Sequence, residues 1–257
     1  MDDMASAYDG PHTLIINRND QNLGLAQHLN VASRLCNGDI LILAAGDDVS
    51  HPRRAATIAQ MFAICPTAFA VYSAFHDTTT TAIPSKTVHG VRKSAFEIMF
   101  GGGGRGKGAT FAYRKTCFEW PRPIPGTILS EDKFLPFRAS LLGDVFGLDA
   151  ELVAYRKPPG RLGKRLKETE KTALKRPEHL EALRHELELA CEDGAVSRLR
   201  VATLRAILAY RQATVAELRD RPRILRNVLR LLQRLGRNLM RGGLKVLKKR
   251  KTVHMAP

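Results

Sequence analysis

Residues 37–53 read NGDILILAAGDDVSHPR, and the order of chemistry in this stretch decides the fold. Asp39–Ala45 is a short, continuous apolar run of the kind that forms a strand buried on both faces. It ends in Gly46-Asp47-Asp48. Pro52 then stands where a helix tolerates proline, in the first turn, and the helix is expected to reach about Ile64. Working outward, Thr13–Asn17 (TLIIN) reads as a strand, Leu25–Leu35 as a helix and Phe69–Phe75 as a strand. Strands alternating with helices of this length imply an α/β domain with a mostly parallel sheet and helices on both faces.

Past Phe75 the alternation loosens. Residues 76–93 are polar and threonine-rich, which suggests a surface excursion, and Ser94–Phe100 reads as a short amphipathic turn or helix. The glycine-rich run Gly101–Gly108 lacks the Gly-Lys-Ser/Thr of a phosphate-cradling loop. It reads instead as a loop beside a cleft, with Arg105 and Lys107 free to meet anions. Ala109–Tyr113 is expected as a strand, Glu131–Leu142 as a helix capped by Ser130, and Phe146–Arg156 as a closing strand. Pro158-Pro159-Gly160 marks a boundary. Beyond it the chain is expected to be helical throughout, divided at Pro177 and at Asp193-Gly194.

The charge is lopsided. Of 257 residues, 41 are Lys or Arg and 25 are Asp or Glu, a net charge of +16. Residues 221–257 hold twelve Lys/Arg and no acid, so residues 1–220 carry only +4. The body is an ordinary domain, and the basicity belongs to an appendage suited to an anionic surface. In that appendage Leu225, Val228, Leu229, Leu232, Leu235 and Leu239 form one helical stripe, flanked by Arg223, Arg226, Arg230, Arg234, Arg237 and Arg241. Two readings stay open: the stripe lies in a membrane interface, or it packs on the body. Nucleic acid is disfavoured, because residues 221–257 contain no Phe, Tyr or Trp for base stacking.

Other classes are excluded by what is absent. The four cysteines form no CxxC pair, which speaks against a zinc module or a disulfide framework and for reduced thiols. No run of about 18 apolar residues exists for a spanning helix. The acidic opening Met1-Asp2-Asp3 is not that of a secretory leader, so a cytoplasmic protein is expected. No HxxxH pair and no Gly-x-Ser-x-Gly elbow point to a zinc hydrolase or an α/β-hydrolase.

The carboxylate pairs carry the chemistry. Asp47 and Asp48 follow a buried strand, where ligands of open α/β sheets collect, and two such acids suit a hard divalent cation. A simple capping turn before Pro52 is the plainer alternative. Glu131-Asp132 opens a helix and could supply a general base, or could merely complement the helix dipole.

Taken in order, Asn22-Leu23-Gly24-Leu25-Ala26, Asn37-Gly38-Asp39-Ile40, Ala45-Gly46-Asp47-Asp48 with Pro52-Arg53, Glu131-Asp132 and Tyr155-Arg156 resemble a family-2 glycosyltransferase of the GT-A fold. The resemblance covers about residues 13–156. It implies a Rossmann-like GT-A domain over residues 1–157, a helical extension over 158–220 and a basic amphipathic tail over 221–257. It implies that Asn22, Gly24 and Asp47 meet a nucleotide-sugar donor. It implies further that Asp47 and Asp48 hold Mg²⁺ or Mn²⁺ against the diphosphate, and that Asp132, beside Glu131, deprotonates the acceptor hydroxyl in an inverting displacement. Ala45 stands where the usual Asp-x-Asp has its first acid. The family's opening strands, which build the nucleobase pocket, have no counterpart before Asn22, so an N-terminally incomplete sheet with an exposed apolar edge is expected. The Gln-x-x-Arg-Trp of processive synthases does not follow Glu131-Asp132. The acceptor implied is a glycan or a lipid-linked glycan at the inner membrane face, with residues 221–251 on the anionic surface.

Overall fold

A computed structural model describes residues 5–77, 88–100, 106–128, 130–156, 177–196 and 252–255, together with 201, 202, 204, 205, 208 and 209. The elements in chain order are α1 (Gly24–Leu35), β1 (Ile40–Ile42), β2 (Val49–Ser50), α2 (Arg54–Ile64), β3 (Ala68–Asp77), β4 (Val88–Lys93) and α3 (Ala95–Phe100). They continue with a 3-10 turn (Gly108–Thr110), β5 (Phe111–Arg114), α4 (Thr116–Glu119), α5 (Glu131–Leu142), β6 (Asp144–Tyr155), α6 (Pro177–Glu192) and β7 (Thr252–Met255).

The seven strands form one sheet in the order β1-β5-β3-β6-β4-β7, with β2 on β6. The α/β class is as expected. The expectation of a mostly parallel sheet is refined: β1, β3, β6 and β7 share a direction, and β5, β4 and β2 run against it. The parallel contact, β3 against β6, lies at the centre, where helices cover both faces. Leu41 faces one side and Ile40 and Ile42 the other, the alternation a strand imposes. On the first side Tyr113, Phe134, Phe137 and Leu141 pack with Ala26, Phe118, Leu180, Leu183 and Leu187. On the second, Ile58, Met61 and Phe62 of α2 cover Val71, Ala112, Phe146 and Leu152. Each such side chain contributes on the order of 1.5–3 kcal/mol of burial.

Several sequence expectations are corrected. Residues 13–17 do not form a strand: Leu14, Ile15 and Ile16 are 54%, 51% and 43% exposed. An extended segment becomes a strand only when a neighbour takes its backbone hydrogen bonds, and among the described residues none does. The run 39–45 is a strand only over Ile40–Ile42, although the Leu43 N–H still reaches the Phe111 carbonyl at 3.0 Å. The expected excursion at 76–93 contains β4, a strand whose Gly90 lies tight against Met61. Residues 78–87 and 101–105, including Arg105, fall outside the described residues.

Pro177 opens α6, and Gly194, at φ +70, closes its end with the Val196 N–H on the Ala190 carbonyl, at the two divisions expected from the sequence. The chain beyond residue 160 is not wholly helical, because β7 pairs antiparallel with β4. There His89 and His254 stand opposite each other with their Nδ1 atoms 2.8 Å apart. Residues 157–176 and 210–251, which include the basic segment, are outside the described residues. No helix among the described residues is long and apolar enough to cross a membrane.

Helix α5 is enclosed from Phe134 to Leu141, and it carries an arginine inside. Arg138 has no exposed surface and meets Glu186 of α6 through Nε (2.7 Å) and Nη2 (2.9 Å), while Nη1 donates to the Cys117 and Arg122 carbonyls. Removing one partner strands a buried charge, which costs about 3–5 kcal/mol, whereas removing both together costs far less. Urea unfolding should therefore show Glu186→Ala strongly destabilised and the Arg138→Met/Glu186→Leu double variant close to wild type.

Candidate active site

The acidic turn begins where β1 ends. Asp47 is exposed, and Asp48 is half-buried beneath it. The Asp48 Oδ1 accepts the Arg156 N–H at 2.8 Å, which pins the turn to the end of β6. Its Oδ2 is enclosed and has no hydrogen-bond partner. Burial raises the Asp48 carboxyl above its ordinary range, and the charge of Asp47 adds to this. The Arg156 N–H and the charges of Arg156 and Arg54 act in the opposite sense.

The second acidic pair opens α5. Ser130 occupies the capping position, but its hydroxyl donates to Asp132 Oδ1 at 2.6 Å instead of accepting a backbone N–H, correcting the expected cap. Lys133 Nζ lies 3.4 Å from Asp132 Oδ2. Glu131 turns inward against Gly108, where no Cβ would fit beside its Oε1. Its carboxyl is pushed up to about 7, first by burial and then by the charge of Asp132. Tyr113, buried above the pair with an unpartnered hydroxyl, is held well above the ordinary phenol range by burial and by Glu131 and Asp132.

Both pairs stand at the same end of the sheet. The path between them is short: the Arg54 guanidinium binds the Leu43 carbonyl at the entrance to the acidic turn and the Ala109 carbonyl, next to the Gly108 that Glu131 packs against. Asp132 lines a small cavity with Tyr72, Lys93, Glu97, Phe111 and Lys133. Its volume is about 40 Å³, room for a few water molecules.

Asn22 and Gly24 are bonded to each other, the Gly24 N–H to Asn22 Oδ1 at 2.9 Å. Gly24 takes φ +71, which only glycine adopts without strain, and the turn delivers the chain into α1. Both are exposed, and their hydrogen bond is to each other rather than to the acidic pairs. Arg54 was given no role by the sequence reading. One signal for it was present: a cation in the first turn of a helix opposes the helix dipole, so something else must hold it there.

No protein-family model matches the chain, and no curated protein matches it. Among solved structures it is similar to S. aureus TarS 1–349 in complex with UDP, with TM-score 0.44, 14% identity, and coverage of 65% of this chain and 46% of that one. The same protein in complex with UDP-GlcNAc gives TM-score 0.43 at 14% identity, with coverage of 65% and 46%. TarS 1–349 without a named ligand gives TM-score 0.40 at 14% identity, with coverage of 76% and 70%. The chain thus spans less than half the length of the first two.

The raised Glu131 carboxyl makes folding pH-dependent in a defined sense. Between its ordinary value of 4.5 and about 7 the unfolded chain ionises first, so native stability falls as pH rises through this window. At about 1.4 kcal/mol per unit the full loss is about 3 kcal/mol. Glu131→Gln should match wild type near pH 4.5 and exceed it in melting temperature at pH 8, measured by thermal unfolding across pH.

Proposed function

We propose that this chain is a nucleotide-sugar-dependent glycosyltransferase of the GT-A type that transfers a sugar with inversion to a glycan or lipid-linked acceptor. The observation that carries the reading is the placement of two carboxylate pairs at one end of the sheet, linked through Arg54, one of them with an enclosed, unpartnered oxygen at Asp48. The likeness in motif order from Asn22 to Arg156 supports it independently.

Asp47 and Asp48 Oδ2 offer hard oxygen donors of the type that Mg²⁺ or Mn²⁺ takes. Among the described residues no group of three or more His, Cys, Asp or Glu converges. The remaining ligands of such a cation are then the donor diphosphate and water. When bound, it neutralises the charge of the departing diphosphate. Asp132 takes the proton of the acceptor hydroxyl as that oxygen bonds to the anomeric carbon and the sugar–phosphate bond breaks on the opposite face. Ser130 and Lys133 orient the Asp132 carboxylate for this. Glu131 keeps the neighbouring position neutral below about pH 7, which limits repulsion between the pair. Asn22 and Gly24 take the donor's nucleotide side.

A second reading has its own support. The cavity at Asp132 holds only water-sized groups, and Leu14–Ile16 lie unpaired. Both fit a non-catalytic protein of the same architecture that uses its surface for contact. Donor hydrolysis separates the two. With Mn²⁺ and a panel of UDP-, GDP- and dTDP-sugars, nucleoside diphosphate release should be abolished by EDTA and fall at least about 100-fold in Asp47→Ala and Asp132→Asn. A folded wild type inert with every donor would support the second reading.

The leucine stripe and arginine flank of residues 221–251 suit the inner face of a membrane, and this placement belongs to the same proposal. Charge reversal of Arg223, Arg226, Arg230 and Arg234 to Glu should abolish co-sedimentation with phosphatidylglycerol vesicles. Binding that persists would assign the stripe to intramolecular packing.

A further inference from the structure

Arg54 sits at the first position of α2 with only 3% of its surface exposed. Its guanidinium makes three bonds, each to a different piece of chain. Nη1 donates to Ser50 Oγ at 2.9 Å, and Nη2 donates to the carbonyls of Leu43 at 2.7 Å and Ala109 at 2.6 Å. Leu43 is the residue before Ala44-Ala45-Gly46-Asp47-Asp48, and Ser50 follows that turn by two positions. One planar group therefore grips both ends of the acidic turn. Its third bond reaches the 3-10 turn whose Gly108 leaves no room beside the Glu131 carboxylate.

The guanidinium does this without consuming the acid it lies near. Arg54 Nε and Asp48 Oδ2 are both buried, and neither has a hydrogen-bond partner. The two carbonyls and the hydroxyl engage Nη1 and Nη2, and the Asp48 Oδ2 is left without a hydrogen-bond partner. A lysine ammonium is a single point of charge on a flexible stem and cannot span three acceptors in this arrangement.

We propose that Arg54 is a positioning residue that sets the spacing between the Asp47–Asp48 turn and the Glu131–Asp132 pair. The identity of the ligand held between them rests on the glycosyltransferase reading; the clamp itself rests on the three bonds. Breaking it frees the turn and the 3-10 segment together and loosens the divalent-cation site, while the core beneath α2 stays folded.

The test uses the full chain as wild type, Arg54→Lys, Arg54→Met and Thr57→Val. The last weakens α2 elsewhere, by removing the Thr57 hydroxyl bond to the Arg53 carbonyl. Two quantities are read in protein shown by denaturation to be folded: amide exchange over residues 43–50 and 107–111, and affinity for Mn²⁺ alone. Both Arg54 variants should lose protection in the two segments together and bind Mn²⁺ at least about ten-fold more weakly, with Arg54→Lys less affected than Arg54→Met. Thr57→Val should leave Mn²⁺ affinity within about two-fold of wild type. The proposal is overturned if the Arg54 variants keep protection and affinity, or if Thr57→Val reproduces their losses. Should wild type bind no Mn²⁺, the metal role of Asp47 and Asp48 fails, and joint or separate opening of the two segments decides the clamp on its own. If Arg54→Met does not fold, Arg54→Lys and wild-type exchange in low urea decide it in the same way, because a real clamp makes both segments open with one free energy.

Discussion

The Arg138 cation has no contact with water and is answered by the Glu186 carboxylate on another helix. That constraint governs the geometry of the molecule's polar end. Helix α5 lies between the sheet and α6, so its residues from Phe134 to Leu141 are enclosed and it cannot shift or rotate without dragging a charge through apolar surroundings. The ring of Phe134 lies 4.8 Å beneath the guanidinium and closes it from below. Because α5 is held at its middle, its first turn is held too, and Glu131 and Asp132 project from a fixed support rather than from a loop. An acid–base group needs that support, since its usefulness depends on placement within fractions of an ångström. Whether Arg138 and Glu186 add net stability over an apolar pair is secondary to their fixing one register for α5 against α6.

The two acidic pairs face different environments, and the difference sorts their chemistry. Asp47 and Asp48 lie near Arg54 and Arg156, both of which favour ionisation of Asp48 against the effect of its burial. Glu131 is more deeply enclosed, and the largest influences on it, burial and the charge of Asp132, both favour its neutral form. Burial is the largest influence on both, so Asp48 as well as Glu131 is raised, and Glu131 holds a proton near neutral pH. Adjacent carboxylates at 131 and 132 would otherwise repel. The structure answers this by giving Asp132 a hydroxyl and an ammonium, while burial against Gly108 outweighs the backbone N–H groups and the Lys133 charge that act on Glu131.

Legibility from sequence followed locality. The helices Leu25–Leu35, Pro52–Ile64 and Glu131–Leu142 were readable because their periodicity lies within a few residues, although α2 starts at Arg54, after Pro52, and none of the three has a side-chain cap. Strands were readable where both faces are buried, as in β3 and β6, but not at Thr13–Asn17, where composition favours a strand and none of the described residues pairs with it. Composition cannot report pairing. The same gap hid β4, whose Val88-His89-Gly90-Val91 pattern looks like loop until β6 and β7 flank it. At the site, the acids were visible as motifs, but Arg54 and the inward turn of Glu131 depend on contacts 55 and 23 positions away, at Ala109 and Gly108.

Residues 252–255 belong to the sheet rather than to the helical tail that the sequence suggests. Read from sequence, residues 221–257 form a tail with a free end. In the structure, Val201, Leu204 and Leu208 are buried in the core beside α6, and Val253 and Met255 pack beneath β4. The edge that β7 covers is also the one that β4 would otherwise leave open to pairing. The four residues Thr252–Met255 thus close one edge of the sheet.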